Sequence, residues 1–142
     1  MYNLFLDDER IPYSTDKDVK TAFNVTENPI YYTKPWIIVR NYYQFVQFIK
    51  DNGLPNTISF DHDLGKKYNR EDIPAEFLKQ NVEKILNTEM TGYDALKWLC
   101  NYCLDLNIDL PEIWLHTANP TGFVNMRDYI KSFNKIRNMK ND

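Results

Sequence analysis

Apolar residues in this chain fall into a few short unbroken runs separated by longer stretches with a helical period. The run at residues 2–6 stops abruptly at Asp7-Asp8-Glu9, and residues 36–40 and 57–60 form two more runs rich in β-branched and aromatic side chains. Runs of that length and composition predict short buried strands. A fourth run, residues 112–116, follows Pro111. After the second run the period changes: Tyr42, Phe45, Val46 and Ile49 recur at i, i+3, i+4 and i+7, until Gly53 and Pro55 stop the pattern. That spacing predicts an amphipathic helix. Pro74 is placed to open a helix carrying Phe77, Leu78, Val82, Ile85 and Leu86. Thr91 is the expected N-cap of a helix bearing Leu96, Leu99, Cys100 and Cys103, and Gly122 precedes a last helix with Met126, Tyr129, Ile130 and Phe133, frayed from Asn138.

Strand-like runs followed at a distance by helix-like segments are the alternation of a parallel sheet. The prediction is therefore a single α/β domain over residues 1–142, with a short, mainly parallel sheet of about four strands flanked by helices. Residues 13–35 show no clear period and predict a loop or hairpin insertion over one edge. Residues 66–90, where the helix opened by Pro74 sits in polar surroundings, predict a helical insertion. No internal repeat is visible.

Composition narrows the classes. With 43% hydrophobic and 15% aromatic residues in 142, the chain has enough apolar material to offset its conformational entropy. Its longest apolar stretches are far below the ~20 residues of a membrane span, and Met1 leads straight into a strand-like run with no basic segment before it. A soluble, unprocessed protein with no membrane partner is expected. The net charge of −3 gives no basic face for an extended nucleic-acid duplex, so any nucleic acid would be gripped locally. Cys100 and Cys103 form a C-x-x-C within a helical pattern rather than at its start, which favours packing over thiolate chemistry. Two histidines and two cysteines far apart make no structural zinc set.

Chemistry concentrates at the ends of the predicted strands. Ligands of open parallel sheets bind at the carboxyl edge, where the loops are free to vary. Asp7-Asp8-Glu9-Arg10 ends the first run, Asp61-His62-Asp63 the third, and His116-Thr117-Ala118-Asn119-Pro120 the fourth. Carboxylates brought together repel one another unless a cation compensates. Asp7, Asp8, Asp61 and Asp63 are thus the candidate ligands of a hard divalent metal, magnesium first, with manganese as the alternative. His62 and His116 lie beside these motifs, where an imidazole can move protons. Asp61 joins them as a candidate catalytic residue. Thr117 would hydrogen-bond a phosphoryl oxygen or satisfy local backbone groups. Asn119 to Gly122 would seat an anion at a helix start or serve as a plain N-cap turn. Arg10 would clamp phosphate with its fork of donors, neutralise the carboxylates, or do both.

The motifs L-F-L-D-D-E-R-I-P at 4–12, S-F-D-H-D-L-G at 59–65, T-G-Y-D-A at 91–95 and W-L-H-T-A-N-P-T-G at 114–122 together resemble the cyclic-phosphate-processing receiver-like family, found in phage and bacteria. The resemblance spans most of the chain outside residues 13–35 and 66–90. It implies the flavodoxin-like fold of response-regulator receivers, a bacterial or phage-infected cytoplasm, and metal-dependent processing of cyclic phosphates. Carried over by position, it implies that Asp7 and Asp8 are the acidic pair that holds magnesium, Asp61 the phosphoacceptor position, and Thr117-Ala118 the strand-four hydroxyl motif. Receivers also carry a lysine and proline after a fifth strand, and no Lys-Pro follows Gly122 here. That departure speaks against a phosphorylation switch, while the two histidines favour a hydrolytic site. Thr117 stands where the family more often has serine.

Two functions follow as expectations. One is a metal-dependent phosphoesterase acting on a cyclic phosphate at an RNA end, a cyclic nucleotide or another nucleotide-derived phosphate. The other is a non-catalytic module binding a phosphorylated ligand or a protein partner. Phe60-Asp61-His62-Asp63 also mimics the nucleophile motif of haloacid-dehalogenase phosphohydrolases, but the downstream lysine and acidic elements are poorly placed for it. Oligomeric state is not encoded in any of these features.

Overall fold

The structure, a computed structural model, describes residues 1–13, 29–65 and 68–140. Four strands, β1 (Asn3–Leu6), β2 (Ile37–Val39), β3 (Thr57–Phe60) and β4 (Glu112–Leu115), form one sheet in the order β2-β1-β3-β4. All pairings are parallel, with Leu4 opposite both Ile37 and Ile58, and Ile58 opposite Ile113. The α/β architecture with about four parallel strands is as the sequence predicts. β1 and β3 are buried along their whole length, whereas β2 and β4 are partly exposed, as central and edge strands should be.

Alternation along each strand sends side chains to opposite faces. Leu4, Leu6, Val39, Ile58 and Phe60 form the principal core. It is closed by the apolar stripes of α2 (Tyr42–Asn52), α5 (Gly92–Leu106) and α6 (Pro120–Lys140), through Phe45, Val46, Ile49, Leu96, Leu99, Cys100, Cys103, Met126 and Phe133. Both cysteines are free, buried members of this core, and burial pushes their thiols up to about 12 and about 11. On the other face Phe5 packs with Ile30 and Tyr31 of the short helix α1 (Ile30–Thr33) and with Trp36 and Ile38.

Local signals set the helix ends. Asn41 caps α2 by accepting from Gln44 N–H at 2.9 Å, and Gly53 ends it at φ 82°, a conformation glycine adopts freely. Thr91 and Asp94 form a reciprocal capping box at the start of α5, which closes at left-handed Asn107. α6 begins at Pro120, three residues earlier than a helix preceded by Gly122, and continues through Lys140 rather than fraying at Asn138.

The single helix expected after Pro74 is two short ones, α3 (Ala75–Leu78) and α4 (Val82–Asn87). The break has a local cause, because the Asn81 side chain accepts from Lys84 N–H at 3.2 Å and starts a new helix. With a 3-10 turn at Arg70–Asp72 they pack Ile73 and Ile85 against Tyr43 of α2. Asn41 and Gln44 fasten this stretch by donating to the Asp72 carbonyl at 2.9 and 2.8 Å. Most of the loop or hairpin expected over 13–35 falls on residues 14–28, outside the described residues; α1 lies in its last part. Among the described residues no helix is long and apolar enough to cross a membrane.

The chain passes from β1 outward to β2, then crosses to β3 on the other side of β1. Adjacent connections therefore diverge above the carboxyl ends of β1 and β3, which opens a crevice there.

Candidate functional site

Backbone pairing runs one residue beyond the strands and pins their tips together. Asp7 N–H donates to Val39 O at 3.2 Å, Asp61 N–H to Leu6 O at 2.9 Å, and His116 N–H to Phe60 O at 2.9 Å. The register thereby brings residues 7, 61 and 116 side by side at the crevice. Asp7, Asp8 and Asp61 offer carboxylate oxygens within 4.8 Å of one another. Asp7, Asp8, Glu9, Arg10, Asp61, Asp63, Thr117, Ala118 and Asn119 line a cleft of about 370 Å³.

The three carboxylates differ in their surroundings. Asp7 is buried, and its Oδ1 accepts from the backbone N–H of Glu9 and Arg10 at 2.9 and 2.8 Å, while Oδ2 accepts from Arg10 Nε at 2.8 Å and lies 3.1 Å from His116 Nε2. Burial alone would raise its pKa, but the His116 hydrogen bond, those backbone donors and the Arg10 charge outweigh it and hold the group well below the usual carboxylate range. Its lone-pair positions are filled by four donors, so Asp7 contributes chiefly negative charge. Asp8 is pushed up to about 6, first by burial and then by the charges of Asp7, Glu9 and Asp61. Asp61 is also raised, by burial and by Asp7, with Arg10 opposing at 3.5 Å.

Such a set fits a hard divalent cation. Two carboxyls resist ionising in the protein alone, and a cation would relieve both burial and mutual repulsion. Asp8 and Asp61 would hold it with their oxygens and Asp7 would add charge. Asp63 stands outside the group of three; it faces His62 Nδ1 at 3.0 Å and Asn119 Nδ2 at 3.5 Å.

Close backbone approach explains two glycines. The Gly92 amide donates to His62 O at 2.7 Å, and a Cβ at residue 92 would fall 1.6 Å from the Asp61 carbonyl oxygen. A Cβ at Gly122 would meet the His62 ring. Gly122 is therefore a platform under His62 and does not line the cleft. Asn119 Oδ1 accepts from Gly122 N–H at 3.0 Å, so it caps α6, and Thr117 Oγ1 accepts from Asn119 N–H at 3.1 Å. Both nevertheless face the cleft, together with Arg10, whose side chain is 28% exposed.

The two histidines part company. His62 adjoins the cleft through Asp63. The His116 side chain is wholly buried, stacked on Phe5 at 4.2 Å and 9°; burial lowers its pKa, against the influence of Asp7. Its Nδ1 lies 2.6 Å from Ser59 Oγ, which is 2.8 Å from the Tyr31 hydroxyl. Sequence reasoning assigned no role to Ser59, Tyr31 or Arg40. Arg40 Nη1 donates to the carbonyls of Asp7 and Arg10 at 3.2 and 2.7 Å, holding the acidic turn in place. Its position just past β2 was a usable signal under the strand-end rule.

Comparison with curated proteins and with solved structures finds no match. A family model described as the cyclic-phosphate processing receiver domain matches residues 2–132, a span that includes every strand and the whole acidic cleft. The chain belongs to that family.

Proposed function

We propose that this protein is a metal-dependent phosphoesterase that opens a cyclic phosphate carried by a small nucleotide or an RNA end. The observation that carries the reading is the meeting of Asp7, Asp8 and Asp61 within 4.8 Å beside the Arg10 guanidinium, in a cleft open to solvent. A divalent ion, when bound, supplies Lewis-acid polarisation of the phosphate and a more acidic water. Arg10 binds non-bridging oxygens, and Thr117, Ala118 and Asn119 line the other wall. Hydrolysis forms one bond from water oxygen to phosphorus and breaks one ring P–O bond; the proton released by water ends on the freed hydroxyl. His62, held by Asp63, is the side chain assigned to carry it.

The test is a panel of cyclic nucleotides and cyclic-phosphate-ended oligonucleotides, incubated with and without magnesium or manganese. Ring-opened product that needs the metal and disappears in Asp61→Asn and His62→Ala is expected. Product that survives chelation, or an intact turnover rate in Asp61→Asn, would defeat the proposal. Tight metal-dependent binding without product would assign a binding module instead.

A further inference from the structure

His116 has no surface facing the cleft: its side chain is 0% exposed, sealed between the Phe5 ring and the edge of Tyr31. A group that exchanges protons with substrate must come within hydrogen-bond reach of it, directly or through one water. What His116 does reach is Asp7, at 3.1 Å from Nε2 to Oδ2.

Hydrogen-bond bookkeeping orients the whole chain. The Asp7 carboxylate already takes three N–H donors from Glu9 and Arg10, so it acts as an acceptor and His116 Nε2 must donate to it. In a neutral imidazole Nδ1 is then the acceptor, and the Ser59 hydroxyl 2.6 Å away must donate to it. That uses the only proton Ser59 has, so its oxygen accepts from Tyr31, at 2.8 Å. With the imidazole neutral, one direction of donation runs from α1 through β3 and the tip of β4 to the acidic pair; the donation from His116 Nε2 to Asp7 holds in either protonation state.

We propose that Tyr31, Ser59 and His116 form a positioning chain for the Asp7 carboxylate, with His116 acting on the site through Asp7 and not on substrate. The chain fixes the rotamer of Asp7 from below while Arg10 fixes it from the side, so that the negative charge at the cation site cannot swing away. Groups that orient a metal-site carboxylate in this way typically change metal affinity ~10–100-fold when removed. The inference about Asp7 stands on the hydrogen bonds alone; only its kinetic consequence rests on the phosphoesterase reading.

The experiment compares His116→Ala with His116→Gln, whose amide can donate near the Nε2 position yet cannot shuttle protons. Manganese affinity by calorimetry should fall ~10-fold or more in the alanine variant, stay within about threefold in the glutamine variant, and fall by an intermediate factor in Ser59→Ala. Turnover in His116→Gln should keep at least about a tenth of the wild-type kcat, where loss of a proton carrier costs ~100-fold or more. Manganese affinity unchanged in His116→Ala, or a glutamine variant that binds metal normally but has lost kcat as fully as alanine, would overturn the proposal. If His116→Ala fails to fold, nitrogen NMR of the wild-type imidazole decides: protonation at Nε2 is expected, and protonation at Nδ1 alone refutes the chain. The affinity and NMR readings need no substrate, so they hold whether or not turnover is found.

Discussion

The His62 ring fills the space that a side chain at residue 122 would need: a Cβ built on Gly122 falls 2.6 Å from both Cγ and Cδ2 of His62. Gly122→Ala should therefore turn the ring away from Asp63 while α6 still forms, because alanine favours a helix over glycine by ~1 kcal/mol. The expected result is a melting temperature within about 4 °C of wild type and a kcat on a cyclic phosphate lower by ~10-fold. Full turnover in this variant would remove His62 from the mechanism.

Gly92 is under a harder constraint. Its Cβ would lie 1.6 Å from the Asp61 carbonyl oxygen, and that neighbour is backbone at the tip of a central strand. Gly92→Ala should cost about 3 kcal/mol or more, since strand tip and helix start must separate. Urea titration measures the loss, and magnesium binding should weaken even in the fraction that remains folded.

Mild acid and metal should both raise stability, because each relieves the same crowded carboxylates. Asp8 is raised from an ordinary 3.8 to about 6, and Asp61 is raised too. A carboxyl that binds its proton more tightly when folded lends stability below its unfolded pKa and loses that contribution as pH rises through the folded value. In metal-free protein these two groups should lower the melting temperature as pH rises from about 4 to about 6. Asp7 has the reverse sign, its contribution being lost as pH falls below the ordinary carboxylate range. At pH 7, magnesium at ~100 times its dissociation constant should add ~2.7 kcal/mol, or about 5–10 °C. Asp8→Asn should raise the metal-free melting temperature at pH 7 and abolish the magnesium shift; scanning calorimetry with and without chelator would reveal either failure.

Arg10 reaches Asp7 at 2.8 Å and Asp61 at 3.5 Å while keeping an exposed edge toward the cleft. Arg10→Lys preserves the charge but not the fork. KM for a cyclic phosphate should rise ~10-fold with kcat within about threefold, a split visible in steady-state kinetics.

The acidic pocket was legible because its parts end buried runs: Asp7 and Asp8 follow Leu6, and Asp61 follows Phe60, so strand order alone brings them together. The different fates of the histidines were not legible. His62 and His116 both follow strands, yet whether an imidazole faces solvent or the space beneath the sheet edge depends on what packs there, here Phe5 and Tyr31. Ser59 left a trace, since Thr-Ile-Ser-Phe puts it on the face opposite Ile58 and Phe60. Its link to Tyr31, 28 positions away, comes from tertiary packing that no local period announces. The break between α3 and α4 was hidden for another reason: residues 79–81 contain neither glycine nor proline, and the only cue was an asparagine able to cap.

The bond from the Gly92 amide to the His62 carbonyl gives the molecule a clasp. The stretch from Tyr68 to Met90 lies away from the acidic cleft, and the chain comes back to it at Gly92, like a purse closed at its neck. Lengthening or trimming that stretch adds little loop entropy, and the clasp keeps such changes from being felt at the acidic tips. The pouch is thus where this architecture can acquire a new partner surface without retuning its chemistry.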